Sequence, residues 1–182
     1  MNTLGATYLD SAINRFLTYK TLGDMTFAQL EEKDFYFVPS EESNSIAVII
    51  QHMHGNMLSR WTNFLTEDGE KPDRDRDSEF TPPPPGKEAV VALWEEGWNC
   101  LLAALRALRE EDLPKTITIR HEPLIVIDAI NRQLAHYPHH VGQIVYIGKM
   151  IRNGQWQSLS IPKGASDTVN RQMKELHAND RK

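Results

Sequence analysis

Three of the seven histidines fall within five residues, in the segment NRQLAHYPHHVGQIVYIGKMIR at residues 131–152. His136 and His140 are four apart, so a helix would carry them on one face, about one turn from each other. Two imidazoles so placed can share one divalent metal ion, provided that a third ligand arrives from elsewhere. The spacing alone is weak, because an HxxxH pair is a common accident and histidines beside a core are often only hydrogen-bonded or solvated. His139 points about 60° from His136 and about 100° from His140 around the helix, which reads as rim or surface. The zinc-protease helix is excluded: HEXXH requires glutamate after the first histidine, and Tyr137 stands there.

The helix that must carry the pair is read over about residues 126–152. Ile130, Leu134, Tyr137, Val141, Ile144, Val145 and Ile151 recur at helical spacing and form an apolar stripe bordered by His136 and His140. Asn153-Gly154 supplies the stop. Pro138 lies inside, where it removes one backbone hydrogen bond and clashes with the Leu134 carbonyl at a cost of ~3 kcal/mol or more, so a kink is expected between the two histidines.

Three further long helices are expected. Leu4, Tyr8, Ile13, Phe16, Leu17 and Leu22 share a face over about residues 3–22. Thr26 then reads as the cap of a short turn, FAQLEE, followed by an extended linker through Phe37 and Pro39. A second helix has its N-cap among Ser43, Asn44 and Ser45, buries Ile46, Ile49, Ile50, Met53, Met57, Trp61 and Phe64, and runs to about Leu65, before the turn at Asp68-Gly69. Residues 68–86 combine charge with four consecutive prolines, a long crossover with Pro82 to Pro85 as extended polyproline II. The third helix, about 87–109, buries Val90, Leu93, Trp94, Trp98, Leu101, Leu102, Leu105 and Leu108, with Cys100 packed nearby. KTITIR at 115–120 alternates like a short strand, and HEPLIV after it returns as a second strand or leads into the histidine helix. A last helix starts near Ser166, with residues 174–182 frayed.

The composition fits one domain over residues 1–182, with a core at about 4–155 and a C-terminal extension at 156–182. A net charge of −5 and no lysine or arginine run argue against nucleic acid as a partner. Cys100 is the single cysteine, the N-terminus lacks a signal-peptide layout, and no apolar run approaches the ~20 residues of a membrane span, so a cytoplasmic location away from membranes is expected. Long apolar helices with short and long connections describe an all-α, up-down four-helix bundle, with a minor β-ribbon before its last helix. The wide apolar arcs also suggest a homodimer through those helices. Bundles build metal sites from facing helices, so the third ligand is sought on the second helix. His52 and His54 lie about 160° apart there and cannot both face one site, and the wheel alone leaves either open.

The segments SIAVIIQH at 45–52 and HYPHHVGQ at 136–143 resemble the DinB-like superfamily of metal-binding four-helix bundles. Its pattern has one histidine on the second helix and two, four apart, on the fourth; Pro138 is not part of it. The stretches GNMLSRW, DGEKPDRDRDSEF, INRQLAHYPHHVGQIVYIGK and WQSLSIPKG resemble a small-protein branch of unassigned function, and the likeness runs over about residues 4–170. Position by position, the resemblance implies His52, His136 and His140 as metal ligands. Wider relatives include metal-dependent transferases and isomerases that use low-molecular-weight thiols, which implies a small thiol or electrophile as partner here. Imidazole suits several divalent metals, with zinc or nickel expected first and iron next. An ion held by three imidazoles keeps open positions, where a thiol could be activated. Asn56, Ser59, Arg60, Gln133 and Gln143 are within two turns of the ligands and are the expected substrate-lining residues. The blander reading has Arg60, Arg74 and Arg76 solvated or paired with acids such as Glu67, Asp75, Asp77 and Glu79, and Trp61, Trp94 and Trp98 as core. A metal-loaded bundle without catalysis, serving as a sensor, store or interaction protein, is the alternative function.

Overall fold

The computed structural model describes residues 3–178. Among these the chain is mostly helical, with six α-helices and one two-stranded sheet. The first helix, α1 (Leu4–Phe27), is capped by the Thr3 hydroxyl, which accepts from the Ala6 N–H. It runs a turn past its expected end: Thr26 is not a cap but a buried residue inside the helix, its hydroxyl donating to the Leu22 carbonyl. A one-turn helix, α2 (Glu32–Phe35), interrupts the stretch read as extended linker, because the Asp34 carboxylate accepts from the Glu31 N–H and closes a capping turn.

Of the three N-cap candidates for α3 (Ile46–Trp61), Ser45 takes the role, its hydroxyl accepting from the Val48 N–H. The helix stops before the expected Leu65 because Asn63 turns left-handed, with φ of 48°, a conformation that asparagine tolerates. The crossover that follows has one 3-10 turn, Ser78–Phe80, and no regular helix through its prolines. The next helix is α4 (Lys87–Ala107). KTITIR and HEPLIV form an antiparallel hairpin, β1 (Thr116–Ile119) with β2 (Glu122–Ile125), in which Ile119 pairs with Glu122 across a two-residue turn. The histidine helix, α5 (Val126–Arg152), matches its expected bounds and is continuous through Pro138. The final helix, α6 (Ser166–Ala178), buries no residue; the expectation of fraying from residue 174 is not met as far as Ala178, and residues 179–182 lie outside the described residues.

One apolar cluster runs through α1, α3, α4 and α5, with Phe16, Met53, Met57, Trp94, Trp98, Leu101, Ile130 and Ile144 at its centre. Within it α3 packs on α4 and α5, and α1 packs on α5 and α4. Gly97 lets α4 approach α3 closely, since a Cβ there would stand 3.2 Å from the His54 Cα. Trp61, Trp94 and Trp98 are core as expected. Half-buried Cys100 lies against α3 near Thr62 and Met57, and burial pushes its thiol up. No helix among the described residues is long and apolar enough to cross a membrane.

Candidate metal centre

The contact between α3 and α5 brings His52, His136 and His140 together, one potential ligand atom of each lying within 4.8 Å of the others. The His52 ring lies edge-on to both partners, 5.7 Å from the His136 ring and 5.0 Å from the His140 ring. Nε2 of His136 and Nε2 of His140 are 3.0 Å apart. The proline between them has not separated the pair.

Each ring is held at its other nitrogen. His52 is buried, and its Nδ1–H donates to Glu79 Oε2 at 2.8 Å. His136 Nδ1–H donates to Gln133 Oε1 at 3.1 Å, and His140 Nδ1–H to Gln143 Oε1 at 2.8 Å. An Nδ1–H donated to an oxygen fixes the tautomer and leaves Nε2 with its lone pair. The Nε2 atoms of His136 and His140 then face each other as two acceptors, an arrangement that a shared cation would stabilise. The spacing also suits one: an ion about 2.0–2.1 Å from each nitrogen sets ligand atoms about 3.0–3.4 Å apart at angles between a right angle and the tetrahedral value. The α5 pair thus fits a divalent metal in donor type, tautomer and separation, and His52 brings a third imidazole nitrogen within 4.8 Å of it. Burial, followed by the charges of His140, His52, Arg60 and Arg132, pushes His136 down to about 4. Burial lowers His140 too, with its Gln143 hydrogen bond opposing. These two rings therefore stay neutral, the form that coordinates.

Sequence reasoning missed the support for His52. Glu79 arrives from the crossover, 27 residues further along the chain, and is buried. Arg74 holds it from behind, Nε donating to Oε1 at 2.7 Å and Nη2 to Oε2 at 3.0 Å. Room for this carboxylate comes from Gly55, one turn beyond His52, where a Cβ would stand 2.4 Å from Glu79 Oε1. Only the glycine in HMHGN hinted at that approach. Although burial opposes the charge, hydrogen bonds from His52 and Arg74 hold the Glu79 carboxyl below its usual range. Phe80 stacks on the His52 ring with centroids 4.9 Å apart.

The expected lining residues divide. Asn56 is buried, and its Oδ1 accepts from the Tyr137 hydroxyl at 3.0 Å, while that hydroxyl accepts from Trp61 Nε1 at 3.1 Å. Gln133 is buried and Gln143 exposed, each engaged by a histidine of the cluster. Arg60 is buried, donating to the Gly69 carbonyl and to Glu70 Oε2. A cavity of about 270 Å³ brings Asn56, Arg60 and Gln133 together with His52 and His136. Ser59 instead lines a larger cavity of about 750 Å³ beside the crossover, where its hydroxyl donates to the Gly69 carbonyl. Arg74 lines both cavities. Of the other histidines, His54 Nε2 is 3.0 Å from Glu96 Oε2, away from the cluster, and His121, His139 and His177 are exposed.

The fold and site together define a mostly helical protein with a three-histidine cluster between two of its long helices. Residues 3–165 match the model of a family described as a protein of unknown function, DUF1572, and the chain belongs to that family. No curated protein sequence matches it.

Proposed function

We propose that the chain is a DinB-like four-helix bundle that holds one divalent metal ion, zinc or nickel first, through His52, His136 and His140, and transfers a small thiol to an electrophile. The observation that carries this reading is the arrangement of the ring nitrogens: all three Nδ1 atoms are engaged by side-chain oxygens, and the Nε2 atoms of His136 and His140 converge. An ion held by His52, His136 and His140 would keep its full charge and would supply the Lewis acidity that favours the thiolate form of a small thiol near neutral pH. Glu79 keeps His52 oriented and its Nδ1 protonated. Gln133 and Gln143 do the same for the α5 pair. Phe80 covers one face of His52 and limits access of water from that side.

One observation favours the alternative of a metal-binding bundle without catalysis. Glu79 is committed to His52 and Arg74, and burial raises the Tyr137 hydroxyl far above neutral pH, so neither serves as a general base.

The test has two stages. Metal analysis after equilibration with zinc or nickel should give one ion per chain, lost when His52, His136 or His140 is replaced by alanine and kept in His54→Ala, His121→Ala, His139→Ala and His177→Ala. Full binding by His52→Ala would overturn the site. The metal-replete protein is then assayed with small thiols and a chromogenic electrophile: turnover abolished by a chelator supports the transferase, and stoichiometric binding without turnover selects the alternative.

A further inference from the structure

The protein carries a net charge of −5, yet the cavity beside the histidines is lined by five arginines, Arg60, Arg74, Arg76, Arg120 and Arg132. Two carboxylates answer them. Glu70 is shared by Arg60 at 2.9 Å, Arg120 at 3.0 Å and Arg74 at 3.4 Å, and Glu79 pairs with Arg74 and His52. Arg76 lies over the Phe80 ring at 5.3 Å, and neither it nor Arg132 makes an ion pair among the described residues. Five guanidinium groups thus stand around a volume of about 270 Å³ with two carboxylates in ion pairs to them.

Two of the five are built into the fold and three, Arg76, Arg120 and Arg132, stand at exposed positions around them. Arg60 and Arg74 are held with side chains 5% exposed. Arg120 sits in a tight turn whose two residues, Arg120 and His121, both have positive φ, 55° and 64°. The Asp68 carboxylate clamps that turn, accepting from the Arg120 and His121 N–H groups at 2.8 Å each and from Glu70 N–H at 2.7 Å. Left-handed backbone is unfavourable at non-glycine residues, and here a turn with two of them delivers a guanidinium to the cavity lining. Like charges concentrated in a concave site are unfavourable unless an anion completes them.

We propose that this cavity binds a small molecule through its carboxylate or phosphate group, gripped by the exposed Arg76, Arg120 and Arg132 beside the buried Arg60, with the remainder of the molecule reaching His52 and His136. The planar fork of guanidinium matches both oxyanions in a bidentate manner. As the substrate class of the thiol reaction, this inference rests on the metal-dependent reading above. The arginine cavity itself stands without the ion.

Calorimetric titration of the metal-free full chain at low salt, with succinate and separately with inorganic phosphate, tests the anion site directly. Saturable binding of either is expected, and the tighter one names the anionic group. Arg76→Gln and Arg132→Gln, both at exposed positions, should each weaken binding about tenfold or more, the size of one charge-assisted hydrogen bond. Arg15→Gln, exposed on α1, should leave it unchanged. Absence of binding, or an equal loss in Arg15→Gln, would overturn the proposal. In a second arm the zinc-loaded chain is titrated with mercaptosuccinate and with 2-mercaptoethanol. Preference for the dianionic thiol that disappears in Arg132→Gln supports the inference. Equal affinity for the two, each dependent on zinc, refutes it while sparing the metal site; no zinc-dependent gain for either refutes the metal reading while the succinate result stands.

Discussion

Glu79→Gln is the sharpest single perturbation of the site. The glutamine keeps the shape of the side chain, and its Oε1 can still accept from the His52 Nδ1–H, but the charge that meets Arg74 is gone. Both Arg74 hydrogen bonds to the carboxylate, 2.7 and 3.0 Å, would then face a group that is part donor. Breaking a buried pair by removing one partner typically costs about 3–5 kcal/mol, and retention of one acceptor places this variant near about 3 kcal/mol. For a chain of this size 1 kcal/mol moves Tm by about 2–4 °C, so the metal-free variant should melt about 6–12 °C lower. Loss of the charged acceptor behind a ligand histidine also lowers metal affinity, by about 10–100-fold. The assay is competition against a chromophoric chelator at a temperature where circular dichroism shows the variant folded. Gly55→Ala offers a second route to the same end, because its Cβ would stand 2.4 Å from Glu79 Oε1 and push the carboxylate off His52 without altering any charge. Both variants should weaken zinc or nickel binding while His54→Ala does not. Unchanged affinity in Glu79→Gln, with the expected fall in Tm, would show that Glu79 supports the fold alone and that its bond to His52 has no bearing on an ion.

Tyr137→Phe leaves Trp61 Nε1 and Asn56 Oδ1 without their buried partner and should cost about 2–4 kcal/mol by chemical denaturation, a loss that a merely apolar role for Tyr137 would not produce. Stability of the metal-free protein should fall with acid in a defined window. The native His136 ring takes a proton only near pH 4, whereas the unfolded chain does so near ~6.5. The unfolded state thus binds more protons between these values; the contribution is intact above ~6.5 and lost as pH falls toward 4. His140, lowered in the same direction, adds to the trend. A Tm profile for His136→Asn as steep as that of the unaltered chain over this range would contradict the assignment.

The elements that place the ligands were legible because periodicity is local. The bounds of α5 follow from its apolar stripe and the Asn153-Gly154 stop, and α3 begins where a serine can cap it. Its end was misjudged because Asn63 turns left-handed one residue before Phe64, the last position of the apolar stripe, so the helix stops short of Leu65 and the Asp68-Gly69 turn signal. The α5 histidine pair could be read from spacing. His52 could not be separated from His54 by helix geometry; the family likeness chose between them, and the structure brings His52 to the pair while His54 meets Glu96. The supports of the site were legible only in part: an ion pair of Arg74 with Glu79 was among the expected pairings and is formed, but its burial behind His52 and the arrival of Arg120 from the hairpin turn were not, because nothing in a local pattern tells which charge a loop will bury. Ser59 shows the opposite failure: it shares the helix face of His52 but is drawn to the Gly69 carbonyl and away from the histidines.

The turn at Arg120-His121 bears on how this protein could be improved as a material. A two-residue hairpin with positive φ at both positions is the place where Asn-Gly is favoured, and that exchange would relieve strain of roughly 1–2 kcal/mol per residue while Asp68 still received its backbone donors. A search for thermostable variants would therefore select against Arg120. On the anion-binding proposal above, the costlier turn is what keeps a guanidinium at the cavity, and the Asn-Gly exchange would trade that group for robustness.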